Sequence, residues 1–209
     1  MRDFSIDIYM RLLGLDKDSF SSWSAKLPEG STMVVQPKID GCAIGLRYKY
    51  GQLVDAYSRE DSEIIENIRN IKAIPLSIDD SLKVEVELEG VLYSPSSNSR
   101  IKLEHLLSNS NSKIEKNTSL LFLAFHIFSS NSDELSDLTK LQNWGFEVPI
   151  TLRTDDPMQV KRWHSQWIKK ELFSHLPTNG IVAKCNSSLT KNILGVGSSS
   201  PNWALALTR

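Results

Sequence analysis

The sequence is poor in the residues that build a disulfide or metal framework. Two cysteines among 209 residues, Cys42 and Cys185, give neither a disulfide scaffold nor a zinc-ligand spacing. The four histidines, His105, His126, His164 and His175, form no HxxxH pair. No built-in metal site is therefore expected, and any metal would arrive with a substrate. No apolar run approaches the ~20 residues of a membrane helix; the longest, Leu120 to Phe128, is strand-sized. Met1-Arg2-Asp3-Phe4 lacks the apolar stretch and cleavage site of a secretory signal. A cytoplasmic protein with no membrane partner is the expectation. Excess positive charge is missing as well, since the formal net charge is −1. Nucleic-acid affinity rests largely on neutralising phosphates with Lys and Arg. The short clusters Lys161-Arg162 and Lys169-Lys170 therefore do not predict tight DNA binding by this chain alone. Neither a GxGxxG after a strand nor a P-loop occurs. Gly195-Val196-Gly197 precedes a Ser-rich turn, which excludes the Rossmann and Walker readings.

What is present is regular patterning. Ile6, Met10, Leu13, Phe20, Trp23 and Leu27 recur at helical spacing and Gly30 closes the stretch, so the first thirty residues read as helical. From Met33 the pattern turns strand-like. Ala43 to Lys49 and Gln52 to Ser58 flank Tyr50-Gly51, a tight-hairpin signal. A second strand pair is expected at Lys83 to Tyr93 and Leu120 to Phe128. Between them Ser94 to Ser119, rich in Ser and Asn, reads as mobile loop around a short amphipathic helix, Ile101 to Leu107. Leu135, Leu138, Leu141 and Trp144 space as a helix with Gly145 at C′. Val160, Trp163, Trp167 and Ile168 make a second helix, with the tryptophans read as core or interface. Strands return at Gly180 to Cys185 and Trp203 to Leu207. Helices and strands mix without strict βαβ alternation, so the expected class is α+β, mixed antiparallel sheets with flanking helices.

One lysine invites a chemical reading. Lys38 follows the apolar run Met33-Val34-Val35, and Asp40-Gly41 comes two residues later, a strand-end position suited to facing a cleft. To attack a phosphate it must be neutral, which costs about 4–5 kcal/mol at pH 7. A nearby cation such as Lys184, or a metal on the nucleotide, lowers that cost. A chance KxDG in a chain this long is on the order of one in twenty, so the tetrapeptide alone also fits a surface lysine before an ordinary Asp-Gly turn. Glu85, Glu87 and Glu89 alternate along one strand and face one side, as a solvated stripe also would. Phe125 suits a core by default, and Lys184 suits a solvated strand end.

Further segments decide the matter by their order. Lys38-Ile39-Asp40-Gly41 with Ala43 to Leu53 resembles the KxDG-AxSLxYxxGxL stretch of NAD-dependent DNA ligases. Ser58-Arg59 stands where that family has the Thr-Arg of TRGDG, and Asn67 to Pro75 resembles NVRTIxxIP. Val86 to Glu89 takes the place of VRGE, and Trp144 to Val148 is similar to WGFxV. Leu176 to Lys184 resembles LPxxxDGVVxK, and Pro201 to Ala206 resembles PRWAxA. Ser5-Ile6-Asp7 is similar to the SLD that cradles adenine. The resemblance runs from about residue 4 to 209 with motif order preserved.

The resemblance implies an adenylation domain on a nucleotidyltransferase (ATP-grasp-like) ligase core. It would span 1–209 as a single domain, 1–30 a helical lead-in and 31–209 the core. It implies attack of Lys38 on the α-phosphate of NAD, with AMP retained on the lysine, Mg2+ assisting, and ATP left open as donor. Asp40 would orient the lysine or the ribose, Arg59 and Glu89 would line the ribose side, Phe125 would stack on the purine, and Lys184 would meet the α-phosphate. Ser5, Ile6 and Gln36 would contact the adenine. Arg100, Asn179 and Arg209 are further candidates.

Departures from the family fall at Gln36, where it has Glu, at Asn179, where it has Asp, and at Thr208, where it has Lys. The family's helical cap, OB-fold, zinc finger, helix-hairpin-helix and BRCT segments find no counterpart in these residues. Nick sealing, the step of DNA replication and repair, is therefore expected only with other domains or a partner protein. The second reading is a catalytically degenerate module that binds adenine nucleotide or a protein.

Overall fold

The computed structural model describes residues 14–15, 17–58, 64–79, 85–95, 103, 107, 119–197 and 200–209. In chain order the elements are β1 (Gly14–Leu15), α1 (Lys17–Ser24), β2 (Met33–Ile39), β3 (Cys42–Lys49) and β4 (Gln52–Ser58). Then come α2 (Ile65–Ile68), β5 (Glu85–Tyr93), β6 (Leu121–Ile127), α3 (Glu134–Asn143) and β7 (Leu152–Thr154). The chain ends with α4 (Pro157–Ile168), β8 (Thr178–Cys185), α5 (Ser188–Leu194) and β9 (Ala204–Leu207). Two sheets result, ordered β1-β9-β8-β2-β7 and β4-β3-β5-β6. Only β1 and β9 run parallel among the described pairs. The class is α+β with antiparallel sheets, as the patterning predicts. The chain divides into two compact units, 1–39 with 131–136 and 149–209, and 40–130 with 137–148.

In the first unit the pleat separates two kinds of residue. Met33 and Val35 of β2, Ile181 and Ala183 of β8, and Leu205 and Leu207 of β9 lie in one core cluster with Phe20, Trp23, Val160, Trp167 and Phe173. Side chains alternate along strands and directly paired residues share a face. The registers Val34↔Lys184, Gln36↔Val182 and Lys184↔Ala204 therefore put Gln36 and Lys184 on the face away from that cluster. Each fully buried large apolar side chain contributes roughly 1.5–3 kcal/mol. The buried indoles are satisfied: Trp23 donates to the Asn202 carbonyl at 3.0 Å and Trp167 to Thr178 Oγ1 at 2.8 Å. Helix α4 starts where Asp156 caps it, accepting from the Met158 amide at 2.8 Å, with Pro157 at the first position.

In the second unit Tyr50 and Gly51 both take positive φ, 51° and 74°, the two-residue hairpin turn that matches strand twist. The isoleucines of Asn67 to Pro75 explain that segment: Ile68, Ile71 and Ile74 are buried with Ile65 and Ile78. Tyr48, in the same core, donates its hydroxyl to the Pro75 carbonyl at 2.6 Å. Gly145, at φ 90°, ends α3, and Phe146 enters the core edge-on to Tyr48 at 6.1 Å.

Two expectations need amendment. The predicted N-terminal helix is not continuous, because Gly14–Leu15 pairs with Ala206–Leu207 as a strand and α1 begins only at Lys17; residues 1–13 lie outside the described ones. The buried face of α4 is Val160, His164 and Trp167, so His164 replaces Ile168, which is exposed. The Ile101 to Leu107 helix falls mostly outside the described residues, although Leu103 and Leu107 are buried.

Candidate active site

Lys38 sits where β2 loses its regular register. Pro37 pairs with Ile181 but Ile39 pairs with Thr178, so Lys38 faces two residues of β8, Asn179 and Gly180. Such bulges re-aim a side chain and recur beside active sites. Lys38 Nζ donates to Asn179 Oδ1 at 2.8 Å. Gly180 permits the local packing: a Cβ there would stand 2.6 Å from the Leu207 carbonyl oxygen. Two residues before the lysine, Gln36 is 2% exposed, and its amide nitrogen donates to Thr151 Oγ1 at 3.0 Å.

Lys184 is not the solvated strand-end lysine that its position suggested. It is 1% exposed, and its ammonium donates to Glu134 Oε1 at 2.6 Å. The other oxygen of Glu134 accepts from Lys191, which also lies over the Trp203 ring at 4.8 Å. Burial of these charges is tolerable because they are paired and hydrogen-bonded. Glu134 is itself held by the chain: its amide donates to the Asn186 carbonyl at 2.9 Å, and the next amide, Leu135, donates to Asn186 Oδ1 at 3.0 Å. This first turn of α3 belongs to the first unit.

The second unit carries Asp40, Glu89 and Phe125. Asp40 is half-buried beside Gly41, where a Cβ would meet the Leu92 carbonyl oxygen at 2.4 Å. The glycine of the motif is thus required by the closeness of β5. The acidic stripe on β5 is graded: Glu85 is exposed and ion-paired with Arg47 at 3.2 Å, whereas Glu89 is 0% exposed. Arg47 also pairs with Asp55. Glu89 lies opposite Gly45 on one side and His126 on the other. Phe125 occupies a second bulge, since Glu89 pairs with His126 and Gly90 with Ala124. It is half-buried, unlike its neighbours Leu123 and Ala124.

Gln36, Lys38, Asn179 and Lys184 are therefore brought together on β2 and β8. Arg209 is not: its guanidinium lies over Trp167 at 5.7 Å, on the core side of that sheet. Thr208 uses its carbonyl against His164 Nε2 at 3.0 Å. Ser5, Ile6, Arg59 and Arg100 lie outside the described residues. Sequence reasoning missed Glu134 and Thr151, which touch candidate residues from distant parts of the chain; no local pattern marks either.

The sheets and strand order form a nucleotidyltransferase fold. The structure of the ATP-dependent DNA ligase from bacteriophage T7 in complex with ATP matches with a TM-score of 0.56 at 11% identity, covering 98% of this chain and 69% of that one. The family model for the NAD-dependent DNA ligase adenylation domain matches residues 9–106 and 92–208, and the chain belongs to that family. Among its relatives is a DNA ligase from Mycoplasma genitalium, 31% identical over 83% of this chain and 29% of that protein. Another, from Borrelia turicatae, is 30% identical over 98% of this chain and 33% of that protein. The chain thus spans about a third or less of the length of these relatives.

Proposed function

We propose that this adenylation domain charges itself, transferring AMP from NAD to Lys38. The unprotonated Nζ attacks the α-phosphorus, a nitrogen–phosphorus bond forms, and the bond to the departing nicotinamide mononucleotide breaks. The lysine's proton passes to solvent. The observation that carries this reading is Lys38 itself, set at a β2–β8 bulge and held at 2.8 Å by Asn179. An amide oxygen fixes the nucleophile without the negative charge that would favour its ammonium form. Gln36 is the contact to the base, Phe125 its stacking partner, and Asp40 and Glu89 the groups for lysine and ribose. Arg59, Ser5 and Ile6 complete the proposed nucleotide contacts. Lys184 supplies positive charge for the α-phosphate, which requires its ammonium to turn from or share Glu134.

Among the described residues no group of three His, Cys, Asp or Glu could hold a metal ion. Magnesium is assigned to the nucleotide phosphates, as part of the substrate. Sealing of nicked DNA is proposed only together with other domains, on the same polypeptide or on a partner. Among the described residues no helix is long and apolar enough to cross a membrane.

Intact mass after incubation with Mg2+ and either NAD or ATP tests the proposal. The wild type gains one AMP and Lys38→Ala gains none; an adduct that persists in the variant would overturn the assignment. The buried Lys184–Glu134 pair favours a second reading, a module that binds adenine nucleotide without turnover. AMP binding by a folded protein that never forms the adduct would select it.

A further inference from the structure

Gln36 differs from a carboxylate in one respect that matters for recognition: its two ends are not equivalent. One end of an amide donates and the other accepts, so a buried glutamine must be oriented by its neighbours. Thr151 provides that orientation. Its hydroxyl donates its single proton to the Pro149 carbonyl at 2.9 Å. The oxygen is then left as an acceptor, and it accepts from Gln36 Nε2 at 3.0 Å. Turning the amide over would set two acceptors against each other in a site where Gln36 is 2% exposed, or would force the threonine to give up Pro149. Either costs a hydrogen bond. A glutamate at position 36, as the family has, accepts at both ends and needs no such neighbour.

We propose that Thr151 is a positioning residue that locks Gln36 with its carbonyl oxygen turned to the base, so that the site selects a 6-amino purine over a 6-oxo purine. The inference rests on the reading of this chain as an adenylyl-transferring core with Gln36 at the base. An exocyclic amino group donates to the locked oxygen. A 6-oxo group meets it as a second acceptor, and sites built around one hydrogen-bonding pattern reject the wrong partner strongly.

The test compares binding of AMP and IMP to the wild type, Thr151→Val and Thr151→Ser by titration calorimetry, with circular dichroism confirming that each is folded. The wild type favours AMP. In Thr151→Val, which keeps the shape and loses the acceptor, the AMP-to-IMP affinity ratio falls by roughly 5- to 10-fold. Thr151→Ser, which keeps the hydroxyl, restores it. A folded Thr151→Val protein with the wild-type ratio would overturn the lock, while an AMP adduct on its Lys38 would leave the adenylation reading standing. A wild type that binds neither nucleotide and gains no AMP overturns both.

Discussion

Two lysine ammonium groups meet a single carboxylate at Glu134. Removing one member of a buried pair leaves the other charge uncompensated, which typically costs 3–5 kcal/mol. Glu134→Ala is therefore expected to lower unfolding stability by about that amount in urea melts, and a loss below about 1 kcal/mol would show that the lysines find other partners. Residue by residue, what could be read from the sequence was whatever a local motif marks. Lys38 and Asp40 stand out because Asp-Gly follows an apolar strand. Glu134 does not, because its partner Lys184 is 50 positions away and nothing in Ser132-Asp133-Glu134 distinguishes it from a solvated helix start. Thr151 is hidden for the same reason, lying 115 positions from Gln36.

At the scale of elements, periodicity located the long strands and both longer helices to within a few residues. It failed where elements are too short to show a period. β1 is two residues, β7 three, and α5 seven. Gly14 inside a helical pattern was the signal that the pattern breaks there. The Asp156-Pro157 pair was the signal that α4 begins before Val160. Close packing of elements also explains the motif glycine. With the Leu92 carbonyl 2.4 Å from where a Cβ would stand, Gly41→Ala must push β3 away from β5. A loss of about 1–3 kcal/mol is expected, read as a lowered denaturation midpoint; an unchanged midpoint would mean that the strands shift freely.

For the molecule as a whole, alkaline conditions probe burial. Burial pushes the Tyr48 phenol well above its ordinary value. Burial, reinforced by Glu147, raises Tyr93. A group whose folded value is raised leaves stability unchanged below the unfolded value, near ~10 for tyrosine. Above it the unfolded chain loses the proton that the folded chain keeps, and stability declines with pH. Stability is thus expected to fall from about pH 10 upward, by up to about 1.4 kcal/mol per pH unit for each such phenol. In Tyr48→Phe the decline should be shallower; an identical slope would exclude Tyr48 as a source. Fold family was legible at this scale because several motifs kept their order along the chain. The division into two units was not, because the first is assembled from segments far apart in sequence, with the second inserted between them.

The two bulges have a consequence for how this chain can change length. Along an ordinary strand, subtracting one residue inverts every side chain beyond the cut. At Phe125, and at Asn179-Gly180, the sheets already hold one residue more than the partner strand counts. Subtracting one there leaves a plain ladder with all other side chains on their present faces. These are the points at which a lineage could discard an aromatic side chain or a lysine's partner in a single deletion and still inherit the same fold.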